Sequence, residues 1–190
     1  MLNQILQFLL DTVFGFFVFV LLARFYLQLM RAPFRNPLGQ FVTALTNWLV
    51  LPARRLIPGM FGLDLASFLL AWLIEALLLF LLFLLKGGSL GPASGILAGV
   101  FFTLALLELA RFSLYLLIGV ILIQAVISWV SPYAPLAPLF NALTAPFLRP
   151  FRRMVPPIGN VDLSPLAAIV LAQVLLIALE YFMRVVGALL

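Results

Sequence analysis

The sequence has no cysteine, no histidine and only six acidic residues among its 190. Without cysteine there are no disulfides and no thiolate nucleophile. Without either residue type, zinc sites of the usual kind, histidine-ligated haem and Ser-His-Asp chemistry are excluded. No enzyme activity, cofactor or metal is expected. Charge is scarce as well, at 9% of residues against 66% hydrophobic, with a mean hydropathy of +1.27. A soluble domain is about half apolar and a quarter charged, so this chain cannot hide its apolar surface from water. It reads as an all-α integral membrane protein with room for about four spanning helices. The net charge of +5 is too small and too embedded in apolar sequence to suggest direct nucleic-acid binding. Arginines beside a membrane meet anionic phospholipid more simply.

What is present is four long apolar segments: Leu2 to about Met30, interrupted by Asp11 and Arg24; Leu65–Leu85; a stretch inside Ile96–Val130; and Pro165–Leu190. Strand alternation is nowhere sustained, and Leu, Ala and Phe dominate, so each is expected to be a helix. The first segment has no basic residue before it and no small-residue cleavage site after it, and is expected to be a retained helix. The linker KGGSLGPASG, Lys86–Gly95, is short and nearly uncharged. By contrast Arg31–Asp64 and Ser131–Asp162 are rich in proline and carry Arg31, Arg35, Arg54, Arg55, Arg149, Arg152 and Arg153. Only Lys86 and Arg184 stand on the other side. The positive-inside rule therefore predicts both Arg-rich loops in the cytoplasm, with both termini outside.

Sliding the chain against itself by 98 residues aligns NPLGQFVTALTNWLVLPARRLIPGMFGLDL with APLAPLFNALTAPFLRPFRRMVPPIGNVDL, identical at eleven of thirty positions. The shared residues include Thr46/Thr144, Pro52/Pro150, Arg54/Arg152, Arg55/Arg153, Pro58/Pro156 and Asp64/Asp162. Two units follow, 1–93 with spans at about 2–30 and 65–85, and 94–190 with spans at about 100–130 and 165–190. Each unit crosses twice, so the copies are parallel repeats related by an axis along the membrane normal.

The doubled loop motif, LTNWLVLPARRLIPGMFGLDLAS and LTAPFLRPFRRMVPPIGNVDLSP, resembles the YggT (also YlmG) family of small bacterial and plastid membrane proteins. Trp48 and Ser67 in the first copy replace Pro146 and Pro165 in the second, so the halves are expected to be non-equivalent. The resemblance implies a helical membrane fold and roles in osmotic or ion homeostasis, division and nucleoid organisation, or, in plastids, cytochrome b6 assembly. It implies no shared reaction.

Within the first loop, Asn36-Pro37 reads as an N-cap followed by proline at the first helical position. Phe41, Ala44, Leu45, Trp48 and Leu49 then share one face, and Gln40, Thr43 and Asn47 another. This predicts a short amphipathic helix in the interface, anchored by Trp48. Pro138 and Pro146 limit the second copy to about two turns. The prolines around Arg54-Arg55 and Arg152-Arg153 place each pair on a short constrained turn, suited to anionic headgroups or to a partner protein. Asp64 and Asp162 are read as N-caps of the second and fourth spans.

Charges inside the spans are few. Glu108 with Arg111 and Glu180 with Arg184 are spaced to pair on one helix face. Glu75 stands mid-span without a basic neighbour within a turn, and its repeat equivalent is Gln173. These two polar residues either glue helices together or mark a pathway. The leading expectation is a non-enzymatic membrane scaffold or assembly factor with an Arg-rich face for anionic lipid and a membrane-protein partner or second copy. The alternative is a channel or transport component of ion or osmotic homeostasis, with Glu75 and Gln173 in its path.

Overall fold

In the computed structural model, which describes residues 1–33, 36–57, 63–88, 94–131, 133–154 and 162–188, six helices follow one another. They are α1 (Leu2–Leu29), α2 (Pro37–Leu56), α3 (Leu65–Leu85), α4 (Ser94–Val130), α5 (Ala137–Met154) and α6 (Ser164–Gly187). The protein is all-α, and α1, α3, α4 and α6 are long and apolar enough to cross a membrane. The order long–amphipathic–long occurs twice, at the spacing that the internal repeat predicts. Within each half the two long helices pack together, α1 on α3 and α4 on α6, and α3 packs on α4 to join the halves.

The third span is a single unbroken helix of 37 residues. At 1.5 Å per residue that is about 55 Å, against roughly 30 Å of hydrocarbon, so α4 projects beyond the membrane or tilts. The first and second long helices end on Schellman turns. After α1 the Arg31 N–H bonds Gln28 O at 3.0 Å and the Ala32 N–H bonds Leu27 O at 2.9 Å. Arg31 takes a positive φ of 51° there, a position that Gly87 (φ 83°) fills after α3.

The amphipathic elements differ most from expectation. Asn36 caps α2 as predicted: its Oδ1 accepts the Gly39 N–H at 2.9 Å, with Pro37 next in line. But α2 then runs for 20 residues through Pro52, and α5 for 18 residues through Pro146 and Pro150. The two Arg pairs therefore lie on the last turns of helices, not on separate proline-bounded turns. The reason is position on the helix. Pro52, Pro146 and Pro150 all sit on exposed faces, where the ring has room and the carbonyl it frees can turn toward polar surroundings. Pro146 and Pro150, four apart, put both interruptions on one side. Pro138 falls in the first turn, where a missing N–H costs nothing. The downstream prolines Pro58 and Pro156, and Arg35, lie outside the described residues, as does the middle of the Lys86–Gly95 linker.

The face that α2 buries is also narrower than the sequence pattern suggests. Gly39, Val42, Thr46 and Val50 turn into the bundle, while Phe41 and Trp48 are 54% and 63% exposed. Phe41, Ala44 and Trp48 thus face outward, Leu45 and Leu49 pack partly against the cores, and the small and β-branched stripe faces inward. Val50 joins Val18, Leu21, Leu22, Ala66, Ala71 and Leu109 in the main core.

Candidate functional site: a buried ion network and its thinner copy

The densest polar site forms where α1, α2 and the start of α3 meet. Arg24, near the end of α1, is only 4% exposed. Its Nη1 donates to Thr46 Oγ1 at 2.6 Å and to Asn47 Oδ1 at 2.9 Å, and its Nε reaches Asp64 Oδ2 at 3.3 Å. Arg54 comes from the last turn of α2. Its Nη2 and Nε bond Asp64 Oδ2 and Oδ1 at 2.6 and 3.2 Å, and Nη2 also donates to Gln28 Oε1 at 3.1 Å. Asp64 is the N-cap of α3 and accepts the Ser67 hydroxyl at 2.7 Å and the Ser67 N–H at 3.3 Å. Both carboxylate oxygens are satisfied by charged or dipolar donors, as a buried carboxylate requires.

The electrostatics follow from those bonds. Burial alone would raise the Asp64 carboxyl. Hydrogen bonds from Arg54 and Ser67, with the charge of Arg54, outweigh it and hold Asp64 below the usual carboxylate range.

The second half repeats only part of this. Arg152 Nε bonds Asp162 Oδ2 at 2.9 Å, with the two side chains 46% and 33% exposed. Asp162 Oδ1 accepts the Ser164 N–H at 2.9 Å. Its carboxyl is also held low, because the Ser164 and Arg152 contacts outweigh a burial effect that would raise it. α6 begins at Ser164, so Asp162 is not its N-cap residue; it reaches one of the free N–H groups from a position further out. Thr144 Oγ1 finds only Phe140 O, at 2.8 Å.

A family model described as CCB3/YggT matches the chain in two segments, residues 3–85 and 103–183. The chain belongs to the CCB3/YggT family. Among curated relatives, the uncharacterized protein PA0392 of Pseudomonas aeruginosa is 39% identical over 170 residues, covering 88% of this chain and 84% of its own. A protein of Vibrio alginolyticus encoded in the proC 3′ region is 37% identical over 163 residues, or 85% of each chain. YggT of Escherichia coli K12 is 34% identical over 183 residues, or 96% and 93%. No solved structure matches.

The structure distributes the other predicted residues of this CCB3/YggT protein over several places. Arg54 and Arg152 turn back to the aspartates, while Arg55 and Arg153 stay exposed, as does Arg149. Trp48 is exposed on α2; its Nε1 donates to Leu45 O at 2.8 Å, and its ring meets Phe17 edge-on at 6.0 Å. Glu108 and Arg111 pair at 2.6 Å as expected. Glu180 and Arg184 do not: Arg184 Nε instead reaches the Glu180 carbonyl at 3.4 Å, and both acid and base line an open recess with Arg111. Glu75 is 3% exposed, and its Oε2 has no hydrogen-bond partner among the described residues. Gln173 is exposed on α6, so within one chain the two repeat-related polar residues do not converge.

The sequence pattern marked Arg24, Thr46, Asn47 and Ser67 without assigning them to a site, and it did not mark Gln28. The signal for Arg24 was its standing as the one base in the first apolar segment, and for Thr46 its identity in both repeats. Beside the network, an apolar cavity of about 580 Å³ opens between the halves, walled by Tyr26, Phe68, Leu117, Leu143, Phe147 and Phe182. Among the described residues no group of three acids is placed to hold a metal.

Proposed function

We propose that this protein is a non-enzymatic scaffold or assembly factor of the bacterial inner membrane whose Arg-rich side faces the cytoplasm and meets anionic phospholipid and a membrane-protein partner. The observation that carries this reading is that Arg55, Arg149 and Arg153 are exposed at the ends of α2 and α5, and none makes an ion pair among the described residues. Arg55 lies about two turns beyond Trp48 on α2, whose outward side also carries Phe41. Cations beside an interfacial aromatic stripe suit a phosphate-bearing headgroup above acyl chains, at about 1 kcal/mol per arginine. The partnered arginines, Arg54 and Arg152, instead fix the ends of α2 and α5 so that the free ones are presented.

The test is the lipid that stays with protein purified from membranes of mixed anionic and neutral phospholipid. The triple variant Arg55→Gln, Arg149→Gln, Arg153→Gln should lose most of the anionic enrichment and keep its helical content. Unchanged enrichment would reject the lipid-binding surface. The transport reading is favoured by a different observation, the buried Glu75 with an unpartnered oxygen in the middle of α3. It predicts ion flux through protein in liposomes that Glu75→Gln abolishes without loss of fold.

A further inference from the structure

The 98-residue shift allows every contact between the halves to be compared with the face its repeat equivalent presents. The largest contact between the halves is α3 on α4, with a smaller one of α1 on α4. Trp72 Nε1 donates to the Phe102 carbonyl at 2.9 Å. The rings of Phe80 and Phe83 lie 5.9 and 5.4 Å from that of Phe101. Glu75 is within electrostatic reach of Glu108 and Arg111 on α4, and more weakly of Asp11 on α1.

Shifted by 98 residues, the α3 side of this joint becomes the outer face of α6. Trp72, Glu75, Phe80 and Phe83 become Val170, Gln173, Ala178 and Tyr181, and all four are exposed. The α4 side becomes the face of α1 that carries Asn3 and Asp11. Phe101 and Leu109, 5% and 1% exposed, become Asn3 and Asp11, both exposed. Among the described residues, the α6 and α1 counterparts of this joint are thus both exposed.

The chemistry of those two faces is what a lipid-facing surface lacks. Asn3, Gln7 and Asp11 run along α1 at i, i+4 and i+8, one stripe of a helix. Gln173 stands on α6 at the depth of Glu75 in α3. Polar groups at such depths rarely face acyl chains, and they pair across helices when a partner is there. The internal joint puts Glu75 beside the Glu108–Arg111 turn. The same geometry puts Gln173 beside Leu10–Val13, the turn that holds Asp11, so that the Gln173 amide can donate to the Asp11 carboxylate.

We propose that a second copy of this chain occupies these faces, α6 of one copy packing on α1 of the next through a repeat of the α3–α4 joint. The two repeats share one orientation, so a second copy inserted the same way up can make the joint without inversion. The contact is head-to-tail, and it closes into a ring about an axis along the membrane normal when the repeat rotation divides a full turn. The inference goes beyond the lipid-binding surface and does not depend on it.

The chain contains no cysteine, so placed thiols report without background. Asn3→Cys and Ala178→Cys are put in two separately tagged copies, co-expressed, and treated in native membranes with a short bis-maleimide. These positions are the repeat equivalents of Phe101 and Phe80. A single chain carrying Phe80→Cys and Phe101→Cys therefore calibrates the reach of the reagent. The expected result is a cross-linked species bearing both tags, with neither single variant linking to itself. If the calibrating chain reacts while the mixed copies stay monomeric, or if Asn3→Cys copies link to one another as well as to Ala178→Cys, the head-to-tail joint is wrong. Gln173→Leu with Asp11→Leu, both at exposed sites, should weaken association about tenfold in single-molecule counting. Unchanged association in that variant would equally overturn the proposal.

Discussion

The two halves begin with the same three polar residues and end with different locks. Thr46, Arg54 and Asp64 have identical equivalents in Thr144, Arg152 and Asp162. In both halves the arginine bonds an aspartate ten residues on, joining the end of the amphipathic helix to the start of the next span. The first half adds Arg24, Gln28, Asn47 and Ser67, and the second has Leu122, Val126, Ala145 and Pro165 in those places. The pair shared by both halves is the minimal device; the additions convert it to a buried four-way network. Where Arg24 ties α1 to α2 in the first half, the second ties α4 to α5 by a neutral bond, Gln124 Nε2 to Asn141 Oδ1 at 2.6 Å. The difference teaches that one loop motif can serve as a rigid anchor or as a solvated latch, depending on whether the preceding span supplies a second guanidinium.

The sharpest way to break this contrast is at Asp64. Its side chain is 1% exposed and faces two arginines, one of them 5% exposed. Asp64→Asn leaves the Arg24 charge buried with only neutral acceptors, a loss of about 3–5 kcal/mol. The check is the midpoint of unfolding in mixed micelles. The pH dependence has a fixed sign. Since the folded carboxyl is held below its usual range, its stabilisation is full above the unfolded value of about 3.9 and is lost as pH falls through the lower folded value. Hydrogen exchange should therefore open the α1–α2–α3 junction only under acid conditions, and in Asp64→Asn that acid step should be missing.

A middle-sized effect tests whether Arg24 is the residue that makes the halves differ. Arg24→Leu installs the residue found at the equivalent site, Leu122. Asp64 keeps Arg54 and Ser67, so the cost is that of one charged partner lost from Thr46, Asn47 and the carboxylate, about 1–3 kcal/mol. The two changes share a network, so they should not add. In the double variant no guanidinium is left buried without its carboxylate, and Arg24→Leu with Asp64→Asn should be more stable than Asp64→Asn alone. Simple additivity would mean that Arg24 and Asp64 act independently.

The fold was largely legible in the composition, and the site only in part. The four spans follow from apolar runs that have one physical solution in a bilayer, and the Asn36 and Asp64 caps follow from local chemistry that needs no tertiary contact. The lengths of α2 and α5 were not legible, because whether a proline breaks a helix depends on which side of it faces the bundle, and Pro52, Pro146 and Pro150 all face out. Nor was the network. Arg54 and Asp64 are ten apart and Arg24 and Asp64 forty apart, so their meeting depends on how α1, α2 and α3 cross. Likewise the exposure of Gln173, against the burial of Glu75, depends on which helix follows in the chain, since α4 covers α3 and α6 is the last helix described.

The smallest expected effect completes the contrast. Asp162 and Arg152 are 33% and 46% exposed. Their bond competes with water and is screened by salt, so a pair of this kind contributes about 0–1 kcal/mol. Asp162→Asn keeps an acceptor for the Ser164 N–H and buries no charge alone, so the unfolding midpoint should move by less than a quarter of the Asp64→Asn shift. The residual loss should shrink further in high salt, whereas the Asp64→Asn loss should not, because a buried pair is shielded from counterions. A large, salt-independent loss in Asp162→Asn would show that this edge is covered in the membrane. With α6 presenting the open half of a joint, the covering surface would then be sought on a second copy, and repeating the measurement in the dissociated Asp11→Leu, Gln173→Leu background would separate burial by a neighbouring copy from strength intrinsic to the pair.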